Sequence, residues 1–126
     1  MLHLFVYGTL MRGEHNHDVL AGATYMYSTH TKRGRTLIDL GPYPALLPAD
    51  DARDAERAPV RGEVWAVTEA HAARLDAFEG EAYRREEIEL ARGRAITYVW
   101  AARVPPRARV VTQWRGPRDA DDRERS

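Results

Sequence analysis

The chain contains no cysteine. Disulfides, thiol nucleophiles and zinc–thiolate sites are therefore excluded, and packing alone must hold the fold. An excess of one charge is missing too. Nineteen basic residues balance nineteen acidic ones, which removes the electrostatic footprint of a dedicated nucleic-acid or anionic-membrane binder. No apolar run approaches the roughly 18 residues of a membrane span. The start, Met1-Leu2-His3-Leu4, has no basic n-region and reads as a first strand rather than a signal peptide. A soluble, cytoplasmic protein is expected. There is no glycine-rich phosphate loop, and no serine stands in a nucleophile-elbow context. At 126 residues the chain has room for one domain with a real core.

What remains is strand-rich. Apolar and β-branched stretches predict strands over His3–Tyr7, Thr24–Thr31, Thr36–Leu40, Ala45–Leu47, Val60–Val67, Arg84–Leu90 and Ala95–Val104. The last two form a hairpin around Ala91-Arg92-Gly93-Arg94. Glu14–Leu20 suits a short helical turn, Gly41-Pro42-Tyr43-Pro44 a rigid turn, and Ala49–Ala58 a surface loop. Pro105-Pro106 is expected to end the sheet. From Arg115 the chain shows no apolar periodicity, so a domain over 1–114 and a disordered tail over 115–126 are expected.

One clear helix is predicted over Thr68–Phe78. Thr68 suits the N-cap and Glu69 the first turn. His71, Ala72, Leu75 and Phe78 share one face at three- and four-residue spacing, and Gly80 sits where a left-handed C-cap belongs. Glu79, four residues after Leu75, points along the same stripe. A glutamate at a helix end is ordinarily solvated. Here its inward angle, the negative end of the helix dipole and the neighbouring Asp76 and Glu81 would all raise its pKa towards the range of a general base. Asp76 falls on the flank, where solvation is expected.

The first strand runs into Tyr7-Gly8-Thr9-Leu10. Such a segment is either a strand-ending turn or a loop whose consecutive N–H groups face a carboxylate or developing oxyanion. His15-x-His17 is a poor metal pair. Its spacing sets the rings on opposite sides of a strand, and no third ligand is evident, so no metal site is expected.

Phe5-Val6-Tyr7-Gly8-Thr9-Leu10, Arg12-Gly13 and Asn16-His17 resemble the opening of the γ-glutamylcyclotransferase-like proteins, in particular their γ-glutamylamine cyclotransferase branch. The resemblance continues through Gly34-Arg35-Thr36-Leu37, Tyr43-Pro44, Val60-x-Gly62-Glu63-Val64, Leu75-Asp76-x-Phe78-Glu79-Gly80, Tyr83-x-Arg85 and Tyr98. It spans about residues 2–104. It implies an α+β fold, a small mixed β-barrel of about six to seven strands with one or two flanking helices.

The resemblance also implies a reaction. Glu79 would be the proton acceptor and Tyr7, Gly8, Thr9 and Leu10 the substrate-binding loop, with Tyr43, Tyr83 and Tyr98 as further lining. A small γ-glutamyl amine or γ-glutamyl amino acid would fold back on itself, its α-amine attacking its own γ-carbonyl to give 5-oxoproline and a free amine. The substrate is its own nucleophile, so no cofactor and no metal are needed. Two alternatives stay open at this point. One is a non-catalytic small-molecule binding module on the same fold, and the other an interaction protein using the late hairpin. The sequence leaves the leaving amine and the oligomeric state open.

Overall fold

The apolar run Leu4-Phe5-Val6-Tyr7 is explained by burial on both faces. In the computed structural model, which describes residues 1–49, 58–111 and 113–114, Phe5 and Tyr7 point into a core shared with Leu37, Leu46, Val60, Val64 and Val99. Leu4 and Val6 point the other way, into a second core under a helix, with Leu20, Trp65, Val67, Ala72 and Leu75. The alternation follows the two-residue period of a strand. Residues 50–57 of the predicted loop Ala49–Ala58, and the predicted tail over 115–126, lie outside the described residues.

The elements are β1 (Leu2–Val6), a 3-10 turn (His17–Leu20), β2 (Thr24–His30), β3 (Leu37–Asp39), β4 (Pro44–Leu46), β5 (Arg61–Val67), α1 (Glu69–Glu79), β6 (Tyr83–Glu89), β7 (Arg94–Trp100) and β8 (Arg109–Val111). They form one mixed sheet of eight strands in the order β2-β5-β1-β7-β4-β3-β8, with β6 paired to β7. The sheet curls into a half-barrel. Ala91 N–H donates to His30 and Lys32 N–H to Glu89, drawing the β2 edge towards the β6–β7 hairpin. The mixed barrel-like fold with a flanking helix is the one the resemblance implies. One strand was not foreseen: β7 stops at Trp100, short of the predicted Val104, and Pro105-Pro106 does not end the sheet. A turn closed by Ala108 N–H on Pro105 brings Arg109–Val111 back against β3. Three residues following two prolines are too few for periodicity to betray a strand.

The sheet forks at β7. Because β6 runs beside β7 through all seven residues, β1 and β4 must share its other edge. Both run parallel to β7, β1 pairing at Ile96 and β4 at Val99. Where they part, hydroxyls replace ladder bonds. Thr97 Oγ1 donates to Phe5 O at 2.9 Å. The Tyr7 hydroxyl donates to Tyr98 O and accepts from Leu46 N–H, so one side chain pins β1, β4 and β7. Parallel strands that diverge leave a crevice at their ends, the usual place for a site in such sheets.

The helix starts as expected, with Thr68 Oγ1 accepting from His71 N–H at 3.0 Å. His71 is buried and its Nε2–H donates to Val19 O at 2.8 Å, tying α1 to the 3-10 turn. Two details differ from the sequence reading. Phe78 does not join the buried stripe but is 46% exposed, because an open cleft, not sheet, lies beneath the last turn. Gly80 has φ 73° and ψ −166°, an extended positive-φ state reserved for glycine rather than the left-handed helical one.

Candidate functional site

At the fork lies a cleft of about 280 Å³. Its walls come from the loop after β1, the start of β4, the end of α1 and the β6–β7 hairpin. Glu79, Tyr7, Gly8, Thr9, Leu10, Tyr43, Tyr83 and Tyr98 all face it, together with Phe5, Val6, Asn16, Pro44, Phe78 and Ala82. Eight residues singled out from the sequence are thus brought to one place from five separate segments.

The loop is folded by its own turns. Met11 N–H donates to Gly8 O, Asn16 N–H to Thr9 O, and Glu14 and His17 N–H to neighbouring carbonyls. None of these turn bonds uses the N–H of Gly8, Thr9 or Leu10. Asn16 Nδ2 donates to Thr9 Oγ1 at 3.1 Å, and His17 Nδ1–H donates to Leu10 O at 2.8 Å. His17 therefore braces the loop. Glu63 anchors the loop's far end, accepting from Arg12 N–H at 3.0 Å, Arg12 Nε at 3.1 Å and Trp65 Nε1 at 3.1 Å.

Gly8 is required by contact, not by a positive φ, which it lacks. A Cβ there would sit 2.6 Å from Pro44 Cγ and 2.9 Å from its Cδ. Pro44 cannot yield freely, because its carbonyl accepts the Tyr83 hydroxyl at 2.7 Å across the cleft. Gly8→Ala is expected to push β4 outward, costing about 1–3 kcal/mol of stability as an overpacked core does and distorting the cleft. A melting curve checks this, and an unchanged Tm would show that the fork tolerates a methyl group.

Glu79 is partly buried and makes no hydrogen bond or ion pair with the described residues. Burial alone lifts its pKa to about 7. Neither Asp76 nor Glu81 adds the repulsion expected of it. Asp76 is not simply solvated. It takes Arg85 Nε at 3.2 Å, Arg85 Nη2 at 2.6 Å and the Tyr98 hydroxyl at 2.6 Å, so its charge is compensated.

The tyrosines share one property. Tyr7 donates to Tyr98 O, Tyr83 to Pro44 O and Tyr98 to Asp76, so each spends its proton on the protein and offers a ligand ring and lone pairs. Burial pushes all three hydroxyls well above the usual tyrosine pKa, and they stay protonated. Tyr43, 41% exposed, stands at the rim edge-on to Tyr83, ring centroids 6.4 Å apart. Among the described residues, Glu79 is the one charged side chain lining the cleft. Asn16 was legible only through the resemblance, while Pro44 and Ala82 contribute shape, which carries no sequence signal. No group of three or more His, Asp or Glu fit to hold a metal occurs among the described residues.

Fold and cleft define a class: a half-barrel with one partly buried carboxylate facing a backbone loop at a sheet fork. The chain belongs to the gamma-glutamyl cyclotransferase, AIG2-like family, whose model matches residues 4–116. It is 40% identical over 103 residues to a Vibrio cholerae protein provisionally named a gamma-glutamylcyclotransferase, covering 79% of this chain and 84% of that one. It is 38% identical over 85 residues to the human gamma-glutamylaminecyclotransferase, covering 63% of this chain and 54% of the human one. It thus spans about half the length of the human relative. The crystal structure of a mouse AIG2-like protein superposes with a TM-score of 0.75 at 26% identity, covering 91% of this chain and 88% of that chain.

Proposed function

We propose that the cleft converts a γ-glutamyl amine or γ-glutamyl amino acid to 5-oxoproline and a free amine, with Glu79 as the single acid/base. The observation that carries this is the isolated carboxylate. It has no ion-pair partner, its pKa is about 7, and it faces a loop whose N–H groups are not used by its own turns. Among the described residues no serine or lysine lines the cleft, and Thr9 has only Asn16 on its hydroxyl. A γ-glutamyl amide suits such a cleft because it brings its own nucleophile.

The steps follow from the groups present. The cleft holds the substrate curled, with its α-nitrogen over its own γ-carbon, an orientation effect. Glu79 takes a proton from the α-ammonium. The freed nitrogen attacks the γ-carbonyl, forming the C–N bond of a five-membered ring, and the oxygen becomes an oxyanion that the loop N–H groups can receive. Glu79 then gives that proton to the departing nitrogen, and the oxyanion re-forms the carbonyl as the original amide C–N bond breaks. The ring nitrogen passes its second proton through Glu79 to the released amine, so that 5-oxoproline and an ammonium leave and Glu79 is again ionised. A group with a pKa near 7 is suited to both transfers, since it gives and takes protons with similar ease at neutral pH.

Incubation with a panel of γ-glutamyl amines and γ-glutamyl amino acids, followed by detection of 5-oxoproline and the released amine, tests the reading. Stoichiometric release of the two products from at least one member is expected. Binding without turnover across the panel would instead favour a non-catalytic binding module.

A further inference from the structure

Apolar packing holds only the first part of α1. Its buried residues are His71, Ala72 and Leu75. Asp76, Ala77 and Phe78 are exposed, and Glu79 is only partly buried. The turn that carries Glu79 borders the cleft and adds no fully buried apolar side chain of its own, yet a proton-transfer group must be placed closely to be effective. Polar contacts fix it instead.

Asp76 receives two bonds from the Arg85 guanidinium and one from the Tyr98 hydroxyl. Arg85 and Tyr98 are direct cross-strand partners on β6 and β7, so adjacent strands grip one helix carboxylate. Tyr98 also takes the Tyr7 hydroxyl on its carbonyl, and Gly80 N–H caps the helix on Asp76 O at 3.1 Å. Helix end, hairpin and loop are thereby joined through residues 76 and 98. We propose that Asp76 and Arg85, acting with Tyr98, are positioning residues that hold Glu79 against the Gly8–Leu10 loop. This rests on the reading of Glu79 as acid/base.

Exposed ion pairs usually add little to stability. Asp76 and Arg85 have side chains 46% and 33% exposed, so their loss should register in turnover rather than in melting. The bidentate fork matters here, because a lysine cannot reproduce it.

The test uses Arg85→Met, Arg85→Lys, Asp76→Asn and the Asp76→Asn/Arg85→Met double variant, each assayed on a γ-glutamyl amine turned over by the wild type. Arg85→Met is expected to lower kcat about tenfold with KM changed less than about twofold. Arg85→Lys should fall between Arg85→Met and the wild type. The double variant should be no worse than the poorer single one, since both break the same contact. Amide hydrogen exchange should quicken at Glu79 and Gly80 and stay unchanged at Ala72. A folded Arg85→Met protein with wild-type kcat, a change confined to KM, or unaltered exchange at Gly80 would overturn the latch. Exchange does not depend on turnover. If Glu79→Gln is inactive while Arg85→Met is normal, the latch alone fails. If Glu79→Gln stays active, the reading of the site fails.

Discussion

Glu79→Gln is expected to lower kcat by at least about 10²-fold, the low end of what general acid–base catalysis contributes. Glutamine keeps the size and shape of the side chain but can neither accept the α-ammonium proton nor return one to the leaving nitrogen. No second carboxylate, imidazole or amine lines the cleft among the described residues. The three tyrosine hydroxyls are committed to protein acceptors and held protonated by burial. Ligand affinity should change little, because the cleft walls are untouched. Steady-state kinetics on the folded variant checks this, and near-full turnover would remove Glu79 from the mechanism.

The same substitution should raise stability at neutral pH. Burial lifts the folded-state pKa of Glu79 from 4.5 to about 7. Between those values the folded chain binds more protons at this site than the unfolded chain, so stability falls as pH rises. The penalty is absent below the unfolded pKa, grows through the interval and levels off once pH passes about 7. Its full size is on the order of 1–3 kcal/mol once partial exposure is allowed for. Glutamine carries no such penalty. Glu79→Gln should melt higher than wild type at pH 7, and the difference should vanish below about pH 4. A variant that melts lower at pH 7 would mean the carboxylate is well paired in the folded state. Stability gained while activity is lost is the trade-off expected of an active-site group.

Much of this site was legible before the fold was known. The Thr68 cap, the Leu75 stripe and the Gly80 stop fix the helix, and helical spacing alone turns Glu79 inward. The Leu4–Tyr7 run and Gly8 mark where a strand stops. The cause of the Glu79 shift was only partly legible. Burial carries it, whereas Asp76, expected to repel, is paired with Arg85, nine residues away and across a turn. That pairing depends on how α1 lies against β6, and the Tyr98 hydroxyl joins it through the register of β6 on β7, neither of which a local pattern encodes. The fork was illegible for the same reason. It rests on which edges of β7 are taken by β1, β4 and β6, and on the Tyr7 hydroxyl meeting Tyr98 and Leu46 from distant parts of the chain. Phe78 misled because helical spacing says where a side chain points but not whether anything lies beneath it. β8 escaped because three residues are shorter than any period.

The most direct measurement is the rate of 5-oxoproline release from a γ-glutamyl amine as a function of pH, for wild type and Glu79→Gln side by side. In wild type, kcat/KM should rise with pH on an acid limb centred near 7, the Glu79 pKa in the free protein. In the variant that limb should disappear and leave a residual rate at least about 10²-fold lower. A Glu79→Gln protein that keeps both the wild-type rate and the same acid limb would contradict the account.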